Sequence, residues 1–242
     1  MDELRSKIEE FNATSKTMHI SFGGDGTLLT AVHDNPKKVI LPVRDYCTCE
    51  DHNPKDVIDY LIGLKKPDRG VKLNVFPQII GYYHNNIDKI MTDSALAEIV
   101  IKNKDISTAL RFDVYVNGHL YLENVICDGL IATTAFGSHG YFKSVTRTMF
   151  YEGIGLAFIA PTYGICNLVL KVTDVINIRF KRDAVVNLAA DKNLSEIAFA
   201  EGNLFTIESC CNNAMIGRYS EFMCNKCRKL RNSTTINDQY FV

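Results

Sequence analysis

A chain of 242 residues, 46% hydrophobic and 23% charged, can bury a sizeable core as one large or two modest domains. The formal net charge of -1 provides no basic field for nucleic acid or anionic membrane, and the local basic cluster from Lys226 to Arg231 reads as a solvated helix end. No signal-like segment precedes the first apolar run and no apolar stretch reaches membrane-spanning length, so a folded cytoplasmic protein is expected.

In chain order, Asp2 is placed to cap a helix carrying Leu4, Ile8 and Phe11. Met18 to Phe22 is a short apolar run bounded by glycine, which suits a buried strand feeding a turn. That turn is Gly23-Gly24-Asp25-Gly26-Thr27. Its glycines can adopt positive φ and let N–H groups approach an anion closely. Thr27 is expected to cap a helix through Leu28, Leu29, Ala31 and Val32, whose positive end faces the same anion. Asp25 is the odd member, because a carboxylate beside phosphates repels them unless it binds a metal or takes a proton. Its placement implies a chemical role, against the plainer reading of a tight turn with a solvated acid. Neither a P-loop nor a dinucleotide fingerprint fits, since no Lys-Ser/Thr pair follows Gly26 and the glycine spacing differs. Val39 to Val43 reads as a strand, and Asn53-Pro54 opens a helix with Val57, Ile58, Leu61 and Ile62 on its face. Residues 1–90 are therefore expected to form an α/β domain, with a short hinge around Asn85 to Ser94.

From there to residue 209 the pattern is strand after strand, from Ala97 to Ile101 through to Leu204 to Glu208, which predicts a predominantly β domain over 91–209. Asn117-Gly118 is a hairpin turn by composition, and Glu201-Gly202-Asn203 a second candidate. Met215, Ile216, Tyr219, Phe222, Met223 and Leu230 recur at helical spacing, predicting a C-terminal amphipathic helix that needs the α/β domain as a partner, so that 210–242 completes it. Cys224 and Cys227, with Cys210 and Cys211, superficially resemble a zinc site, but zinc ligands favour knuckles over a helix, so no side-chain metal site is expected. Cys47, Cys49 and Cys166 add no ligand pattern, and buried thiols are the expectation.

Gly23-Gly24-Asp25-Gly26-Thr27 resembles the signature shared by NAD kinases, diacylglycerol and sphingosine kinases and 6-phosphofructokinases. A second stretch selects among them: Cys127-Asp128-Gly129-Leu130-Ile131-Ala132-Thr133-Thr134-Ala135-Phe136-Gly137-Ser138-His139-Gly140-Tyr141 resembles the NAD kinase segment GDGLIVSTPTGSTAY. Ser94 to Val100 resembles the intervening ALNEVV segment. The resemblance covers most of the chain. It departs at Ala97, where the family has asparagine, at Ala135-Phe136 and His139-Gly140, at Val145 to Thr148, and at Leu41 to Asp45, where the family has a Gly-Ile-Asn type segment.

The resemblance implies transfer of a phosphoryl group from ATP or another donor to the 2′-hydroxyl of NAD, with Mg2+ accompanying the nucleotide. It also implies a C-terminal segment that crosses back to the first domain, a cleft site between domains, and a homodimer or homotetramer. Backbone N–H groups of Gly24, Gly26 and Thr27 are the candidates for phosphate binding, and the resemblance assigns Asp25 as acceptor of the hydroxyl proton. Glu98 and Asp128 fill family positions that accept from sugar hydroxyls, and Ala97 stands beside them. Ser138, His139, Gly140 and Tyr141 form the run that approaches a flat ring, followed by Lys143 and Ser144. A related kinase acting on a different hydroxyl and a nucleotide-binding regulator without turnover are the alternatives.

Overall fold

The computed structural model describes residues 2–45, 53–64, 71–84 and 89–222. It divides into two compact units, one formed by the chain up to Val75 together with the described residues from Ala214, the other by Phe76–Asn213.

The first unit begins with α1 (Asp2–Thr14), β1 (Met18–Phe22), α2 (Asp25–Asp34), β2 (Val39–Val43) and α3 (Pro54–Ile62). β1 and β2 pair in parallel, from Met18 opposite Val39 to Phe22 opposite Val43. Ile8 and Phe11 of α1 and Ile58 and Leu61 of α3 are buried with Met18, Ile20, Val39, Leu41 and Val43 in one apolar cluster. Asn12 closes a strand edge, its amide donating to the Ile20 carbonyl at 3.0 Å while its carbonyl accepts the Ile20 N–H at 2.7 Å. Asn53 caps α3 through Lys55 N–H, with Pro54 at the first position, as the dipeptide predicts.

The second unit is built from strands: β3 (Leu73–His84, its first three residues belonging to the first unit), β4 (Lys89–Met91), β5 (Glu98–Asn103), β6 (Leu110–Val116), β7 (His119–Cys127), β8 (Gly129–Thr134), β9 (Ile154–Ile159), β10 (Leu168–Leu170), β11 (Ile176–Phe180), β12 (Ala184–Ala190), β13 (Asn193–Phe199) and β14 (Leu204–Gly217, which from Ala214 belongs to the first unit). One sheet runs β10-β9-β8-β5-β12-β13, antiparallel throughout. In the facing layer β11 lies between β14 and β6, and β6 pairs with β7. Between them Ile99, Leu130, Phe158 and Leu188 share a core with Phe112, Ile178, Phe180 and Phe205. Phe180 stacks on Phe199 at 4.1 Å. The one α-helix among the described residues of this unit, α4 (Tyr141–Thr146), follows a 3-10 turn over Gly137–His139.

Asn117 and Gly118 take φ of 51° and 80° and close the β6–β7 hairpin, as expected. Glu201-Gly202-Asn203 is a turn, but β13 and β14 belong to different layers, so it closes no hairpin. The expected hinge around Asn85 to Ser94 contains β4, which pairs with β3, a strand the sequence did not announce. The helix expected from Met215 is corrected by β14: Met215 and Ile216 lie on the strand, with Ile216 opposite Ile40 in parallel. Ala214 and Ile216 are buried with period two. The chain then passes through Arg218, φ 56°, into a 3-10 turn over Tyr219–Glu221. Cys224, Cys227 and Leu230 lie outside the described residues, as do Cys47 and Cys49.

Candidate active site

In the first unit, the parallel register brings Gly23 and Arg44 off the same ends of β1 and β2, where Gly23 N–H donates to the Val43 carbonyl at 2.9 Å. Gly23 has φ of +152°, and a Cβ there would stand 2.5 Å from Thr27 Oγ1, so the turn requires glycine. At Gly24 nothing lies within 4 Å of where a Cβ would stand, which leaves that face open. α2 starts at Asp25 with Gly24 as its cap residue and no capping side chain. Thr27, expected as the cap, is already inside the helix, tucked beneath Gly23. Its N–H and that of Leu28 both return to the Gly24 carbonyl at 3.1 Å, so the Thr27 amide is spent within the helix. The first turn thus keeps its positive end toward the open glycine face. Asp25 Oδ1 lies 3.0 Å from Arg44 Nη2, and the guanidinium lies 4.7 Å over the ring of Phe222.

In the second unit the candidates gather around Glu98, opposite Thr133 where β5 meets β8. Thr133 and Thr134 hydroxyls donate to the Ala97 and Leu96 carbonyls at 2.9 and 2.6 Å. Asp191, at φ 51° between β12 and β13, accepts the N–H groups of Leu96, Ala97 and Glu98 at 2.8, 2.9 and 3.0 Å. A Cβ at Gly137 would stand 2.3 Å from the Ala97 carbonyl oxygen, so glycine alone permits this approach. The chain then enters α4, whose Tyr141 N–H donates to the Glu98 carboxylate. Burial, with the Asp191 charge adding to it, pushes the Glu98 carboxyl up to about 7 against the opposing effect of that N–H. Glu98 Oε2 is buried and accepts no hydrogen bond among the described residues.

The remaining candidates divide. Gly140 stands at the Glu98 carboxylate, its notional Cβ 3.8 Å from Oε2. His139 packs its ring 6.3 Å from Tyr151. Lys143 and Ser144 sit on α4, and the Ser144 hydroxyl donates to the Tyr141 carbonyl at 2.7 Å. Ser138 is fully buried, and its hydroxyl lies 2.8 and 2.9 Å from the Ala135 and Phe150 carbonyls, tying the loop. Asp128 is exposed and precedes Gly129, which pairs with Lys102 at the far end of the β5–β8 ladder. It is therefore roughly 15 Å along the strands from Glu98. Phe136, in place of the family's polar residue, packs edge-on against Phe76 at 5.3 Å. Asp191 was not anticipated, and its only sequence signal was the turn-like Asp191-Lys192-Asn193 between two strand runs.

Among the described residues no group of three or more His, Cys, Asp and Glu side chains is placed to hold a metal ion. The buried-thiol expectation holds for Cys127, whose thiol burial pushes up to about 12, but Cys166 and Cys211 are exposed and Cys210 half-buried. Among the described residues no helix is long and apolar enough to cross a membrane.

No family model matches the chain. It is 27% identical over 191 residues to an NAD kinase of Lachnospira eligens, covering 76% of this chain and 61% of that one. It is 30% identical over 210 residues to the bifunctional NADP phosphatase/NAD kinase of Methanocaldococcus jannaschii, covering 78% of this chain and 34% of that protein. The chain thus spans less than two thirds of these relatives' length. Its fold matches an NAD kinase from Archaeoglobus fulgidus solved in complex with ATP, with a TM-score of 0.70, 21% identity and 97% of each chain covered.

Proposed function

We propose that this chain, a divergent relative of the NAD kinases, transfers the γ-phosphoryl group of ATP to the 2′-hydroxyl of the adenosine ribose of NAD. The observation that carries this reading is the Asp25 carboxylate at the head of α2, beside a glycine turn that is open where a Cβ would stand. The hydroxyl oxygen forms a bond to the γ-phosphorus as the bond from phosphorus to the β–γ bridging oxygen breaks. ADP leaves with that electron pair, and the hydroxyl proton passes to Asp25. A carboxylate is a weak base for an alcohol, so the proton moves late, once attack has acidified the hydroxyl. The open N-terminal turn of α2 and the face at Gly24 receive the nucleotide phosphates. Magnesium enters as part of the nucleotide substrate and neutralises phosphate charge.

In the second unit, the unpartnered Oε2 of Glu98 suits a ribose hydroxyl donor, and its charge disfavours a sugar already phosphorylated. Asp191 and the two threonines hold that acceptor in place. Asp25→Asn is expected to retain thermal stability and ATP affinity while turnover falls at least about 100-fold. Unchanged turnover in the folded variant would remove Asp25 from the chemistry.

A further inference from the structure

A carboxylate at the mouth of a phosphate cradle repels its ligand unless a cation shares the site, and this chain supplies one. Arg44 follows β2 directly, and the register of Phe22 with Val43 places it beside the turn that begins at Gly23. Its Nη2 reaches Asp25 Oδ1 at 3.0 Å, and the ring of Phe222 lies 4.7 Å below the guanidinium carbon, setting the plane of the fork. Its Nε is buried and donates to nothing among the described residues. A guanidinium carries five N–H donors in one plane and can serve a carboxylate and a phosphate together, which the point charge of a lysine does less well.

We infer that Arg44 is a phosphate-binding and positioning residue of this site, holding Asp25 by one edge and donating to the nucleotide phosphates with its other N–H groups. The inference rests on the phosphoryl-transfer reading above.

The test titrates magnesium-ATP, and inorganic tripolyphosphate as an adenine-free probe, into wild type, Arg44→Ala, Arg44→Gln and Arg44→Lys, alongside kinetics and thermal melts. Loss of a charge-assisted contact should weaken both polyphosphates about tenfold or more in Arg44→Ala and Arg44→Gln, with Arg44→Lys between. KM for ATP should rise while KM for NAD stays within about twofold, a split that a purely structural ion pair would not produce. Arg44→Gln keeps a neutral donor toward Asp25 and carries the test if the alanine variant does not fold. Equal ATP affinity in wild type and Arg44→Gln would overturn the inference whatever the catalytic result. Arg44-dependent ATP binding without NADP formation would leave Arg44 as assigned and defeat the proposed reaction. A wild type that binds neither polyphosphate would defeat both.

Discussion

Glu98 joins burial and charge in one side chain. Its folded-state carboxyl titrates at about 7, above the ordinary 4.5, because the ionised form loses solvent and faces Asp191. A raised carboxyl pKa favours the neutral form in the folded protein, so this contribution to stability is complete below about pH 4.5 and is lost as pH rises through about 7. Glu98→Gln should therefore be more stable than wild type at pH 8 by up to about 3 kcal/mol and nearly equal at pH 4.5, as urea midpoints would show. The ribose-binding role proposed for Glu98 predicts the opposite trend for affinity: NAD should bind wild type about tenfold more tightly at pH 8 than at pH 6, because the acceptor must be ionised. Calorimetry showing the same slope in Glu98→Gln would remove Glu98 from the ribose. Glu98 was legible through its place in the ALNEVV-like segment, whereas Asp191, 95 positions beyond Leu96, was not. Three N–H groups converging on one carboxylate are a product of tertiary folding, and no local pattern announces them. Asp191→Ala should cost about 2 kcal/mol or more in urea unfolding by leaving those donors buried and unpaired, and it should weaken NAD binding through Glu98.

The elements that a local rule determines were the readable ones. β1, β2 and β6 match their apolar runs, and Asn117-Gly118 delivers its hairpin because both residues tolerate positive φ. β3 escaped notice because Pro77 interrupts a run without clean alternation. The C-terminal error has a similar cause: the spacing of Met215, Ile216, Tyr219 and Phe222 satisfies a helix, but β14 uses Ala214 and Ile216 with period two. At the glycine turn the motif was recognisable while its geometry was not, and Thr27 proved to be a support for Gly23 rather than a cap. Gly23→Ala should thus destabilise the first unit by about 1–3 kcal/mol, from a φ of +152° and a clash with Thr27, whereas Gly24→Ala should fold normally and lose phosphate affinity. Urea unfolding with ATP titration of both variants checks the contrast, and equal folding penalties would contradict this description of the turn.

At the scale of the whole molecule, the alternating helix and strand pattern of the first part of the chain differs visibly from the series of strands that follows it, and the chain divides into compact units at Val75/Phe76 and Asn213/Ala214, against the expected 90/91 and 209/210. The resemblance added the chemistry that periodicity cannot supply. The most direct measurement of the proposed reaction is NADP formation by the purified protein given magnesium-ATP and NAD, with Asp25→Asn as the matched control. The expected result is time-dependent NADP with one ADP released per NADP formed, falling at least about 100-fold in the variant. Wild-type protein that binds ATP yet makes no more NADP than Asp25→Asn would contradict it.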